Sequence, residues 1–245
     1  MKVVVSLTSI PSRFSNLPTI IDQLSKQLCH EIWLNVPTSY TRFPDWDQSI
    51  PLDLLNFESK LKINRCEDMG PATKVIPTAA QLDPEDLIVY LDDDTNYDSK
   101  LVTNLLKWFR TDPKSAWGLS GFTLANYFQK RYPRQHGVPV DVLEGYGAVI
   151  VKAGWIQNLT EEFKELQSEA RAADDIILSN LLAKQGIKLK TVWTPECHLG
   201  YIQQLPYGFE PDALHHQFQG GHHENYLKVI KSLQDKGKSY FNYKC

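Results

Sequence analysis

The sequence predicts an α/β protein: a mixed, mostly parallel sheet flanked by helices, in a single domain. Three observations carry this. Short apolar runs rich in β-branched residues (Val3–Leu7, Ile32–Val36, Leu87–Leu91) alternate with stretches of helical period. The first strand, helix and strand follow one another closely enough for a parallel βαβ unit with a right-handed crossover. The 245 residues, 42% hydrophobic and 22% charged, suffice for one large α/β domain of ordinary soluble composition, and no linker, repeat or low-complexity segment divides them.

Taken in order, Val3–Leu7 is the first and central strand. The polar turn Thr8-Ser-Ile-Pro-Ser-Arg13 follows, and Asn16 is positioned to cap a helix through Leu28 with Leu17, Ile20, Ile21, Leu24 and Leu28 on one face. Glu31–Val36 is the second strand. Residues 37–55, rich in Pro and aromatics, form an irregular excursion, and Leu61–Asn64 is a third strand. Gly70-Pro71 marks a turn into a helix with Thr73 and Lys74 in its first turn, a seat for phosphate, and Pro77 kinks or shortens that helix. The strand Leu87–Leu91 ends in Asp92-Asp93-Asp94, and Asp98 caps a helix over Ser99–Arg110. Ala116–Leu119 is a strand, Gly121–Val140 an aromatic and basic long loop or hairpin, and Val142–Val151 a glycine-punctuated entry into another strand. Glu161–Ala170 is a polar helix. Asp174 or Asp175 starts a second helix that Gly186 ends, with Ile177, Leu178, Leu181 and Leu182 buried. Ile187–Trp193 is the last strand, and a terminal helix spans His223–Gln234.

Composition excludes several functions. A formal net charge of −3 provides no basic surface for nucleic acid. No apolar run approaches the roughly 20 residues of a membrane span. Lys2–Leu7 is too short for a signal peptide, so a cytoplasmic location is expected. The four cysteines (Cys29, Cys66, Cys197, Cys245) are scattered, which implies neither a zinc site nor a disulfide framework. A dinucleotide-binding glycine motif and a P-loop are both missing.

The triplet is the strongest chemical signal. Three adjacent carboxylates repel one another and call for solvent or a cation. Side chains alternate along an extended chain, so Asp92 and Asp94 are expected to point the same way and Asp93 the other. Two carboxylates at the end of a buried strand make a hard oxygen site suited to Mg²⁺ or Mn²⁺, where open α/β sheets bind ligands.

An apolar strand ending in D-x-D resembles the metal-binding signature of nucleotide-sugar glycosyltransferases with the Rossmann-related GT-A fold. The likeness runs from about Val3 to Trp193 as an order of features. It implies one domain over 1–245, with a nucleotide-binding half (1–97) and an acceptor-binding half with a C-terminal tail (98–245). It implies a nucleoside diphosphate sugar as donor, UDP favoured, with Mn²⁺ or Mg²⁺ as cofactor. Transfer to a hydroxyl of a glycan or glycoconjugate, with inversion, would follow. Asp94 would bind the metal directly, Asp92 would complete the metal site by reaching the ribose and a metal-bound water, and Asp93 would meet the sugar or a helix end. A further ligand falls among His198, His215 and His216. Thr8, Ser9 and Arg13 match the nucleotide-binding loop, with Lys74 as a second phosphate contact. The Asp174-Asp175 pair resembles the acidic pair at a helix start in inverting members. Asp175 is placed as the base and Asp174 as the helix cap, because a capping carboxylate loses basicity. Two alternatives stand beside this reading. One is a sugar-nucleotide nucleotidyltransferase, disfavoured because Thr8–Arg13 holds no glycine; the other is a non-catalytic carbohydrate-binding relative.

Overall fold

The structure is a computed structural model that describes residues 1–124, 136–192, 202–213, 216 and 221–241, with the backbone alone at 167, 170, 172, 202 and 221–223. The chain opens with β1 (Val3–Thr8), a 3-10 turn at Pro11–Asn16, α1 (Leu17–Ser25), β2 (Glu31–Pro37) and β3 (Leu61–Cys66). A 3-10 turn at Gly70–Lys74 runs into α2 (Ile76–Ala79), then β4 (Leu87–Tyr90), β5 (Thr95–Tyr97), α3 (Leu101–Thr111) and β6 (Ser115–Gly118). Next come β7 (Gly121–Phe122), β8 (Val138–Pro139), β9 (Val142–Leu143) and β10 (Val149–Lys152). The rest comprises α4 (Ala153–Gln157), α5 (Thr160–Glu165), α6 (Gln167–Lys184), β11 (Lys188–Thr191), β12 (Ile202–Gln204) and α7 (Gly221–Asp235).

Among the described residues the main sheet has eight strands in the order β3-β2-β1-β4-β10-β6-β11-β8. β3, β2, β1 and β4 run parallel, as do β6 and β11, while β10 is antiparallel to both its neighbours and β8 to β11. This is the mixed, mostly parallel sheet expected, with β1 in its interior. Alternation along each strand feeds two cores. Leu87 and Val89 of β4 face one side with the apolar stripes of α1 and α3. Ile88 and Tyr90 face the other with α2, α4, α6 and α7. No helix among the described residues is long and apolar enough to cross a membrane.

Several local expectations are corrected. Asn16 occupies the N-cap position of α1 but its side chain makes no capping bond. Asp98 Oδ1 accepts from Lys100 N at 2.8 Å, ahead of a helix that begins only at Leu101. Lys74 lies at the end of the 3-10 turn instead of in the first turn of a helix, and α2 is confined to four residues around Pro77. In the 121–140 region, expected as a loop or hairpin, the short strands β7 and β8 pair with β9 and β11 and not with each other; its residues 125–135 lie outside the described part. The acidic pair opens a helical run as expected, but inside a longer element: α6 begins at Gln167, is broken at the non-helical Ala173 (φ −158°, ψ 70°), and its second run starts at Asp174 and Asp175. The small sheet of β5 and β12, which joins residues Thr95–Tyr97 to Ile202–Gln204 in antiparallel register, was not foreseen.

Candidate active site

β1 and β4 are parallel neighbours, so Thr8 and the aspartate triplet emerge at the same edge of the sheet. A cavity of about 830 Å³ opens there. It brings together Thr8, Ser9, Arg13, Lys74, Asp92, Asp93, Asp94, Asp174, Asp175 and His216. His198 and His215 lie outside the described residues.

The triplet departs from simple alternation because β4 ends at Tyr90 and the chain turns at Asp93-Asp94. Asp93 and Asp94, not Asp92 and Asp94, converge: Arg13 Nη1 donates to Asp93 Oδ1 and to Asp94 Oδ2, each at 3.0 Å. Ser9 Oγ donates to the second oxygen of Asp93. Asp92 turns instead to Lys74, whose Nζ donates to its Oδ1 at 2.7 Å, and a third of the Asp92 side chain stays open. The Thr8 hydroxyl is directed to the Asn35 carbonyl at 2.8 Å.

On the opposite wall, Asp174 does not cap. Its Oδ2 lies 3.1 Å from Lys74 Nζ. Asp175 Oδ1 accepts from Gly145 N at 2.9 Å, and its Oδ2 lies 3.5 Å from the Tyr226 hydroxyl. Both carboxylates are buried.

The C-terminal segment closes over the triplet. Leu205 N donates to the Asp94 carbonyl at 2.7 Å and the Tyr207 hydroxyl to the Asp93 carbonyl at 2.9 Å. Gly208 is a close approach: a Cβ there would sit 2.8 Å from Asp94 Oδ2. Asp212 accepts from Ser12 through its side chain and from Arg42 through its carbonyl. His216 is exposed at the rim, its Nε2 3.2 Å from the Phe209 carbonyl.

By sequence, no family model and no curated protein matches this chain. Solved structures do. Residues 1–349 of S. aureus TarS superpose with a TM-score of 0.58 at 12% identity, covering 96% of this chain and 65% of that one. GalNAc-T7, solved with UDP, GalNAc and Mn²⁺, superposes with a TM-score of 0.56 at 13% identity, covering 97% of this chain and 50% of that one. The chain has the GT-A fold. It spans less than two-thirds of either of these longer chains.

On this GT-A sheet the cavity is strongly acidic. Eight carboxylates (Asp68, Asp92, Asp93, Asp94, Glu144, Asp174, Asp175, Asp212) line it against Arg13, Arg42, Lys74 and Arg171. Burial, then the charges of Asp92 and Asp93, push Asp94 up to about 7 in spite of Arg13. Burial and the neighbouring Asp174 hold Asp175 well above the usual carboxylate range. Burial also raises Asp174, against the pull of Lys74. Lys74 is the converse case: burial opposes its charge, but Asp174 and Asp92 outweigh it and hold its pKa well above the ordinary value.

The donor set suits a divalent cation chemically. Carboxylate oxygens are hard ligands, and a diphosphate entering so acidic a cavity would be repelled without added positive charge. Asp94 and the open part of the Asp92 carboxylate are the groups that would hold such an ion, with Asp92 turned toward Lys74 in the present arrangement. Among the described residues, no three His, Cys, Asp or Glu side chains are already gathered around one point.

Several lining residues escaped the sequence reading. Tyr40, whose hydroxyl donates to the Ser9 carbonyl at 2.8 Å, and Arg42 come from the 37–55 excursion. Glu144 and Tyr146 come from the glycine-punctuated stretch, which the sequence marks as a point of close approach without singling out either side chain. Gln204, Phe209 and Asp212 come from a Pro- and Gly-rich segment that reads as a loop, and nothing in the sequence marks Tyr226.

Proposed function

We propose that this protein is a metal-dependent glycosyltransferase that moves a sugar from a nucleoside diphosphate sugar to an acceptor hydroxyl. The observation that carries the reading is the single cavity at the ends of β1 and β4, where the triplet, the Thr8–Arg13 loop and the Asp174-Asp175 pair meet. The GT-A fold supports it, and the presence of UDP and Mn²⁺ in the structure of GalNAc-T7 favours UDP as the nucleotide. Mn²⁺ or Mg²⁺, when bound, would offset the charge of the departing diphosphate.

Asp175 is the preferred base, for a different reason from helix capping. Asp174 is paired directly with the Lys74 ammonium, which offsets part of the effect of burial, whereas the hydrogen-bond donors to Asp175 among the described residues are neutral, Gly145 N and the Tyr226 hydroxyl. A raised carboxylate can take the acceptor proton as the hydroxyl attacks the anomeric carbon. Attack from the face opposite the diphosphate inverts the configuration.

The test is a panel of nucleotide sugars with and without Mn²⁺, read as transfer or hydrolysis, with Asp175→Asn assayed beside wild type. Turnover in the variant should fall by about 10²–10⁴-fold with UDP affinity nearly unchanged. Full activity in Asp175→Asn would remove it from the reaction. Pyrophosphorolysis would point to a nucleotidyltransferase, and binding without turnover to a non-catalytic relative.

A further inference from the structure

We propose that Lys74 is a positioning residue: its ammonium spans from Asp92 to Asp174 and fixes the donor side of the cavity against the base side, without itself contacting phosphate. The proposal rests on the reading above for what the two sides do.

Four features of the geometry converge. The Lys74 side chain is only 3% exposed, although it lines the cavity. Its Nζ lies 2.7 Å from Asp92 Oδ1 and 3.1 Å from Asp174 Oδ2, so its strong interactions are made within the protein. Its main chain is anchored from below, since the Ser6 Oγ of β1 donates to the Lys74 carbonyl at 2.6 Å and also meets Thr78 Oγ1 at 2.7 Å. Above, Gly145 forms a roof: a Cβ there would lie 2.5 Å from Nζ and 3.2 Å from Asp175 Oδ1.

A lysine that reaches for a substrate phosphate needs an open, mobile head. This one is clamped at both ends and covered. Removing the charge would leave Asp92, Asp174 and Asp175 to repel one another, separating groups whose spacing sets the reaction geometry. Gly145 is part of the same device, because it lends its N–H to Asp175 while leaving room for the ammonium.

The test combines kinetics with chemical labelling. Lys74→Met keeps the length of the side chain and removes the charge. Gly145→Ala keeps the charge and displaces it. In both, kcat should fall by about 10²-fold, as expected when reacting groups shift by about an ångström, with KM for the donor and Kd for UDP with Mn²⁺ within about three-fold of wild type. A tenfold or greater rise in Kd for UDP in Lys74→Met, with kcat retained, would overturn the proposal and make Lys74 a phosphate ligand. Acetylation of surface amines, read by mass spectrometry, decides the point without any turnover. Lys74 should resist labelling equally with and without UDP and Mn²⁺, and become reactive in Asp174→Asn. Labelling in the free wild-type protein would overturn the bridge. A wild-type protein that transfers nothing but shows this labelling pattern would overturn the functional reading alone.

Discussion

Arg13 illustrates how a residue's role is set by its neighbours. Its guanidinium serves two buried carboxylates at once, and all three side chains are about nine-tenths covered. Deleting it leaves two buried carboxylates without their hydrogen-bond donor and free to take up protons, so Arg13→Ala should lower unfolding stability by about 1–3 kcal/mol. Urea denaturation measures this, and a loss below 1 kcal/mol would show that the pair is solvated. A second residue-scale prediction concerns Ala148, which enters β10 at φ +60°, ψ 138° and is fully buried. Non-glycine residues seldom adopt this conformation. A β-branched side chain fits it worse still, so Ala148→Val should destabilise by about 2–4 kcal/mol, while Ala148→Gly should stay within about 1 kcal/mol of wild type. Equal thermal midpoints for the two variants would refute the assignment of strain.

Among elements, the contact between α6 and α7 predicts an acid response. Glu169 of α6 accepts from Ser232 Oγ of α7 at 2.7 Å and from Ser168 Oγ at 2.6 Å, and pairs with Lys236 just past the end of α7. Burial resists its ionisation, but these donors prevail and lower its pKa to about 2. An unfolded glutamate titrates near 4.3. The folded value is the lower one, so the contribution is fully present above about pH 5 and is lost as pH falls from about 4 to about 2. With Lys236 partly exposed, it should amount to on the order of 1–2 kcal/mol. Glu169→Gln should therefore melt lower than wild type at pH 7, and the difference should shrink from about pH 4 and vanish only below about pH 2. A difference that persists there would assign the effect to packing. The elements that were legible in the sequence share one property: their signal is local. The stripe of α1, the apolar run of β4 and the run Ile176–Leu182 of α6 each declare a face within a few residues. β5 and β12 do not, because each is three residues long and gains its identity only from a partner about a hundred positions away. The candidate site was legible in residue type and strand end, but not in orientation. Which way Asp92, Asp93, Asp174 and Asp175 point is decided by Arg13, Lys74 and Gly145, none of which is adjacent to them in sequence.

For the whole molecule, the acidity of the cavity predicts a conditional response to ligand. UDP with Mn²⁺ at about a hundred times Kd should stabilise the fold by about 2.7 kcal/mol, a rise in melting temperature of roughly 5–10 °C for a chain of this size. UDP alone, or UDP with Mn²⁺ and excess chelator, should give little or no rise. Differential scanning fluorimetry reads all three conditions, and an equal shift with UDP alone would mean that Arg13, Arg42, Lys74 and Arg171 suffice for the diphosphate. The closure of the triplet by residues 202–213 also has a consequence for biosynthesis. A ribosome releases β1, β4 and the triplet long before Gly208, Asp212 and Tyr226 exist, a lag on the order of ten seconds at ordinary elongation rates. During that interval the growing chain holds the acidic edge of its sheet uncovered. The cavity is thereby completed only once residue 226 has left the exit tunnel, and a chain cut short before β12 carries the triplet without a closed cavity.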